Sequence, residues 1–234
     1  LTEGVDLASS EQLVANSLSI TPAEHGIIGT ISRRLIRRQG DSNIVRTLGT
    51  LLANSLRRRM DLDVIALYDG LSKETPGAGN GLDITHFRGA VAYLLTDNSS
   101  AYGPAPMPLV SALHIEQISD IMLDISDPGT AAGNRPAGFG DDLLQRWWKG
   151  RDRLYGVQIF HAGNISRDSG DDAKGAIFNQ SFAHLVMANN ADVTTENDNS
   201  LRAEEHGIFQ EWGEGERADV HGIEVYSDAA TTLT

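Results

Sequence analysis

The segment RDSGDD, residues 167–172, places three carboxylates, Asp168, Asp171 and Asp172, close together in the chain. Carboxylate oxygens gathered on a turn are the donors that a hard cation takes. The segment lacks the twelve-residue spacing and closing glutamate of a calcium loop. The three are therefore weak metal candidates, and a solvated polar loop is the plainer reading. The histidines are His25, His86, His114, His161, His184, His206 and His221, and no two stand at a short metal-ligand spacing. His161 and His184 are the pair that strand pairing could bring together. The chain has no cysteine, which removes thiolate zinc sites, cysteine nucleophiles and disulfides. It contains no GxxxxGK[ST] loop, no HExxH pair and no GxSxG elbow. The run GAGNG at 77–81 follows no clear strand and opens no dinucleotide-binding helix, so it reads as a flexible loop. With 32 acidic residues, chance carboxylate pairs abound, and nothing sets two of them across a cleft. No catalytic residue and no cofactor is expected.

Charge is divided unevenly. The formal net charge is -13, but residues 1–60 hold eight basic and five acidic side chains, and residues 61–234 hold 11 and 27. The acidic part should repel nucleic acid. The basic residues concentrate at Arg33, Arg34, Arg37 and Arg38 and at Arg57, Arg58 and Arg59. These suit ion pairs with an acidic neighbour as well as they suit phosphates. The adjacent Trp147 and Trp148 point about 100° apart if helical. One then belongs to a core, and Trp148 is free to anchor a contact, since tryptophan is enriched at interface hot spots.

The element that positions the second arginine cluster is the clearest signal in the chain. Ile44, Leu48, Leu52, Leu56, Met60 and Val64 recur every four residues, with Val45, Leu51 and Leu67 widening the stripe. That period predicts one long amphipathic helix over residues 41–69, capped by Asp41 or Ser42 and closed at Gly70. Before it, residues 1–16 read as an extended arm. Gly26, Gly29 and Thr30 argue against a helix through residues 17–36, which read as strand segments with an exposed bend, then a basic segment. After it, Thr85 caps a shorter helix from His86 to about Leu95. Residues 109–114 form a strand that leads into a helix bearing Ile115, Ile118, Ile121 and Met122. Residues 141–149 form a short helix, 154–160 a strand, and 189–200 a hydrophilic loop or extended segment. Val220, Ile223 and Val225 mark a terminal strand. The sum is an α+β protein. No apolar run approaches 18 residues, so no membrane helix is expected. The opening LTEGVDLASSEQ lacks the basic start and apolar stretch of a signal peptide.

Three stretches carry a family resemblance: LGTLLANSLRRRMDLDVIALYDGLSK at 48–73, PLVSALHIEQISDIMLDI at 108–125, and HGIFQEWGEGERADVHGIEVYSD at 206–228. Their order resembles the major capsid proteins of tailed bacteriophages, which share the HK97-type shell fold. His114 is followed by Ile115 where many relatives have proline. The resemblance implies a long spine helix, peripheral and axial domains, an extended loop and an amino-terminal arm. Laid on this chain, residues 1–16 are the arm, 17–40 the extended loop, and 41–107 the peripheral region. Residues 108–205 are the axial region, and 206–234 return as strands. The implied function is a self-assembling subunit of an icosahedral head around double-stranded DNA, in the virion, assembled in the host cytoplasm. Scaffolding, portal and decoration proteins are the implied further partners. An encapsulin-like nanocompartment is the alternative, and a hydrolase with an acidic site a remoter one. In a shell, Ile20, Ile27, Ile28 and Ile31 would find their partner surface on a neighbour. The candidate contact residues are Ile27, Ile28, Arg33, Arg34, Arg37, Arg38, Arg57, Arg58, Arg59 and Trp148. Some relatives crosslink through lysine, for which this chain offers only Lys73, Lys149 and Lys174. That chemistry is not assigned.

Overall fold

A computed structural model describes residues 17–39, 41–97, 102–126 and 153–230. The expected arm, the helix at 141–149 and Trp147 and Trp148 lie outside these residues. The fold is a mixed α+β arrangement of two sheets joined by one long helix.

The first sheet has three antiparallel strands in the order β1-β8-β7, with β1 Ala23–Ser32, β7 Ala183–Asp198 and β8 Ala203–Glu216. A short helix, α1 Arg33–Gln39, follows β1. The 26-residue helix α2, Asp41–Ala66, lies across one face. Its length is about 39 Å. The four-residue spacing does what the pattern predicts at its centre. Leu52 and Leu56 are buried with Ile208 and Trp212 of β8, and Ile27, Leu48 and Met60 pack around them. Leu51 is instead 58% exposed, so the stripe is narrower than expected. The helix ends in a 3-10 turn, Leu67–Gly70, where Leu71 N–H donates to the Tyr68 carbonyl. Gly70 is not in the left-handed conformation expected of a glycine cap.

No bend interrupts β1. Gly26 and Gly29 serve close approach instead. A Cβ on Gly26 would stand 2.3 Å from the Phe209 ring, and one on Gly29 would stand 2.7 Å from Leu48. Ile31 is buried, and Ile27 packs on α2. Ile20 beds against Gly213 and Gly215. Three of the four isoleucines are thus covered within their own chain, because β8 supplies the partner strand. Only Ile28, 58% exposed, faces outward.

The second sheet has six strands in the order β2-β9-β6-β3-β5-β4. They are β2 Glu74–Pro76, β3 Leu109–Leu113, β4 Arg153–Leu154, β5 Val157–His161, β6 Asp172–Asn179 and β9 Gly222–Asp228. Helices α3 Ile84–Thr96 and α4 Ile115–Ser126 cover one face. There Phe87, Leu94, Ile118 and Ile121 meet Leu109, Leu113, Val157, Ile177 and Val225 in the main core. Asp83, not Thr85, caps α3, accepting from His86 N–H at 2.6 Å. The predicted strand at 154–160 is a hairpin: Tyr155 (φ +52°) and Gly156 (φ +82°) make the two-residue turn between β4 and β5.

The opposite face of this sheet presents small side chains, Ala112 and Ala176, to Tyr68, Leu71 and Phe182. The end of α2 therefore packs on the second sheet while its middle packs on the first. The sheets are not contiguous in sequence. Strand β2 and helix α3, within 41–107, belong to the second layer, and β7, within 108–205, belongs to the first.

Candidate functional site

The arginines fall into two surroundings. At the end of the first sheet, Arg33 N–H donates to the Arg202 carbonyl, and its guanidinium reaches Asn197 and Asn199 at 3.4 and 3.2 Å. That pins α1 to the β7–β8 connection. Arg34, Arg37 and Arg38 are exposed, and none has an acidic partner among the described residues. On α2, Arg59 pairs with Asp63 at 2.9 Å across one helical turn. Arg57 and Arg58 have no such partner among the described residues, and they line an open groove. Its other walls are Asn54, Met60, Asp61 and Val64 of α2, Asn164, and Leu185 of β7. Asn164 Nδ2 donates to Asp61, so two residues that line the groove are bonded to each other.

Beside this groove α2 is bonded to the first sheet. Trp212 is fully buried, its Nε1–H donates to Asp63 at 3.3 Å, and its ring stacks on His25. Asp63 thus holds both Arg59 and Trp212. A second anchor lies in the six-stranded sheet. The buried Gln117 side chain places Nε2 within 3.0 Å of the Ala173 and Val225 carbonyls and the Ser227 hydroxyl. Its Oε1 accepts from His114 N–H at 3.0 Å. This fixes the corner between β3 and α4 onto β6 and β9.

The candidate metal ligands do not form a group. Asp168 Oδ1 accepts from Gly170 and Asp172 N–H, and its Oδ2 accepts from the Tyr226 hydroxyl at 2.9 Å. These donors hold its carboxyl below the usual range, the tyrosine contact foremost. Asp172 begins β6 and accepts from Gly79 N–H at 2.8 Å. Asp171 faces Arg167 at 3.5 Å. No three metal-binding side chains cluster among the described residues. The same bonds correct the reading of GAGNG as a flexible loop. Gly77 N–H donates to the Tyr226 carbonyl, and Asp228 N–H donates to that of Asn80, so the loop is tied to β9.

His161 and His184 are not brought together, because β5 and β7 belong to different sheets. His221 is buried, with Nδ1 2.7 Å from Ser181 Oγ and Nε2 3.3 Å from the Gly103 carbonyl oxygen. A serine–histidine contact is the start of a nucleophilic site. Here the second ring nitrogen meets a backbone carbonyl, and the pair joins the β6–β7 turn to the turn before β9. Lys174 bridges Asp69 and Glu224, which lies on β9 at 3.5 Å. Burial raises the Glu224 carboxyl above its ordinary range, and Lys174 opposes that rise.

Strand β7 is longer than the extended segment that the residues at 189–200 indicate. Its residues 184–197 are all exposed, including Leu185, Val186, Met187 and Val193. Alternation is weak because neither face of the strand is covered. The signal lies in its partner β8, where Ile208 and Trp212 repeat on one face.

No family model and no curated protein matches the chain. Solved structures do match. A structure of Mycobacterium phage Che8 aligns with TM-score 0.66 and 16% identity, over 92% of this chain and 76% of that one. The capsid of Ralstonia phage GP4 gives 0.67 and 11%, over 92% and 75%. The holo-SrpI encapsulin complex from Synechococcus elongatus gives 0.65 and 11%, over 91% and 76%. The chain has the fold of these proteins, the HK97-type capsid fold.

Proposed function

We propose that this chain is a major capsid protein, a subunit that assembles with copies of itself into the head of a tailed phage around double-stranded DNA. The observation that carries this reading is the match to capsid structures over about nine-tenths of the chain. Shell building also accounts for a surface that carries exposed arginines, an open groove and a long exposed strand.

In this reading α2 is the spine. The three-stranded sheet with α2 forms the peripheral domain, and the six-stranded sheet with α3 and α4 forms the axial domain. Residues 1–16 are the arm, and the segment around β1 and α1 takes the place of the extended loop. Ile28 and the arginines at 34, 37, 38, 57 and 58 contact neighbouring subunits, as does Trp148. Arg33 and Arg59, each bonded within the subunit, shape those contacts from behind. Ile27 supports Ile28 from the covered face. Complementary charge at such contacts selects register and partner more than it adds affinity. DNA meets the shell without sequence readout, and scaffolding, portal and decoration proteins join in the virion. The subunit itself is structural and performs no catalysis.

The match to an encapsulin complex favours one second reading, a nanocompartment shell. Expressing the chain alone and analysing particles by sedimentation and by their contents separates the readings. Heads expressed with their packaging partners take up DNA, whereas a nanocompartment retains a specific protein cargo. A chain that stays monomeric across concentration, salt and pH contradicts both.

A further inference from the structure

We propose that the β1 edge of one copy lies alongside the β7 edge of the next, so that the three-stranded sheet continues from subunit to subunit. This deepens the shell reading and rests on it. The strand order β1-β8-β7 leaves both outer edges without a strand partner among the described residues. The β7 edge runs for 16 residues, about 50 Å at the usual rise. It contains neither proline nor lysine, and it exposes Leu185, Val186, Met187 and Val193. Its register shifts fall between Met187 and Asp192, and the ladder is regular from Asp192 to Asp198. Long edges of this kind pair with further strands unless something blunts them. On the opposite edge, Ile28 is also exposed.

Charge names the partner and the direction. Ser32 and Asp198 both pair with Ala203, so the end of β1 and the end of β7 lie at the same end of the sheet. Beyond β1 at that end come Arg34, Arg37 and Arg38. Near the end of β7 come Glu196 and Asp198, the latter also accepting from Ser200 and Leu201 in its own turn, whereas Asp192 stands further back, level with Gly26. Both strands run antiparallel to β8, so β1 and β7 are parallel to each other. Two copies side by side in the same orientation then set the arginines of one beside the carboxylates of the other. The reversed orientation would set the carboxylates beside Glu24 instead. A contact between two different edges is heterologous, and its repetition builds rings and shells rather than closed dimers.

The absence of cysteine makes a direct test clean. One tagged chain carries Ile28→Cys. A second carries a single cysteine at Val193, Thr194 or Thr195 in turn. The two are mixed, assembled and oxidised. A disulfide-linked heterodimer at one of the three positions, with no linked Ile28→Cys homodimer, is expected. Combining Arg34→Glu, Arg37→Glu and Arg38→Glu in the first chain should abolish the link. Glu196→Arg in the second, which leaves the Asp198 turn intact, should restore it. Shells that form with no heterodimer, or with β1 linked to β1, overturn the edge pairing and leave the shell reading standing. A link that survives the arginine reversals, with duplex DNA binding lost instead, shows that the cluster faces nucleic acid and overturns the charge argument. A chain that never assembles overturns the shell reading and this inference together.

Discussion

The His25 ring on β1 lies almost flat on the Trp212 ring of β8, with centroids 3.9 Å apart and planes inclined by 14°. Trp212 also donates to Asp63 on α2. One side chain therefore joins two strands of the sheet to the long helix that crosses them. Trp212→Ala should cost about 4 kcal/mol through the cavity it leaves. Trp212→Phe keeps most of the burial, loses the bond to Asp63 and should cost about 1 kcal/mol beyond any packing change. Urea denaturation of the unassembled subunit measures both.

Gln117 should be as sensitive. Its replacement by leucine leaves the Ala173 and Val225 carbonyls buried without their amide donor. A loss of about 3 kcal/mol is expected, read from the denaturation midpoint. Gly175 lies beneath the same corner. A Cβ there would meet the Ala112 carbonyl oxygen at 2.7 Å, so Gly175→Ala should destabilise by about 2 kcal/mol through overpacking.

Asp120 makes stability depend on pH. Burial first, then the charges of Asp228 and Glu116, raise its carboxyl from 3.8 to about 6. The folded state therefore binds a proton that the unfolded state has released. Its contribution is most favourable below pH 4 and is lost as pH rises toward and through 6. Asp120→Asn should raise stability above pH 6 and leave it little changed below pH 4. Denaturation of both proteins across that range checks the sign, and a wild-type advantage above pH 6 would contradict it.

Arg57 and Arg58 separate folding from assembly. Both are exposed and lack an acidic partner among the described residues. The double substitution Arg57→Glu and Arg58→Glu should change subunit stability by no more than about 0.5 kcal/mol. It should strongly reduce particle yield, measured by light scattering. Arg59→Ala should weaken the subunit slightly, because it breaks the pair with Asp63.

Different parts of the molecule were legible to different degrees for physical reasons. The helix at 41–66 announced itself because one side of a long helix must be apolar at a fixed period to cover a sheet. Strand β3 and helix α4 were equally plain, since each buries a regular face in the main core. Gly26 and Gly29 argue against a helix, and both lie in strand β1; that their missing side chains admit Phe209 and Leu48 is set by packing partners distant in sequence. Strand β7 was legible only as a loop or extended segment over 189–200, because a strand exposed on both faces has no reason to alternate. The segment 167–172 reads most plainly as a polar loop, and the structure adds what its spacing does not specify: Asp168 and Asp172 accept from backbone donors, Asp168 also from Tyr226, and Asp171 faces Arg167. The arginine clusters were visible as charge, but the division between Arg59, bound to Asp63, and its free neighbours needed coordinates.

The central claim is that this chain builds a shell, and electron microscopy of the purified full chain at high protein concentration tests it most directly. The account predicts closed particles, or capsomer-sized rings, whose subunits fit the two-sheet fold described above. A uniformly monomeric population at every salt concentration and pH, even with scaffolding protein supplied, would contradict it.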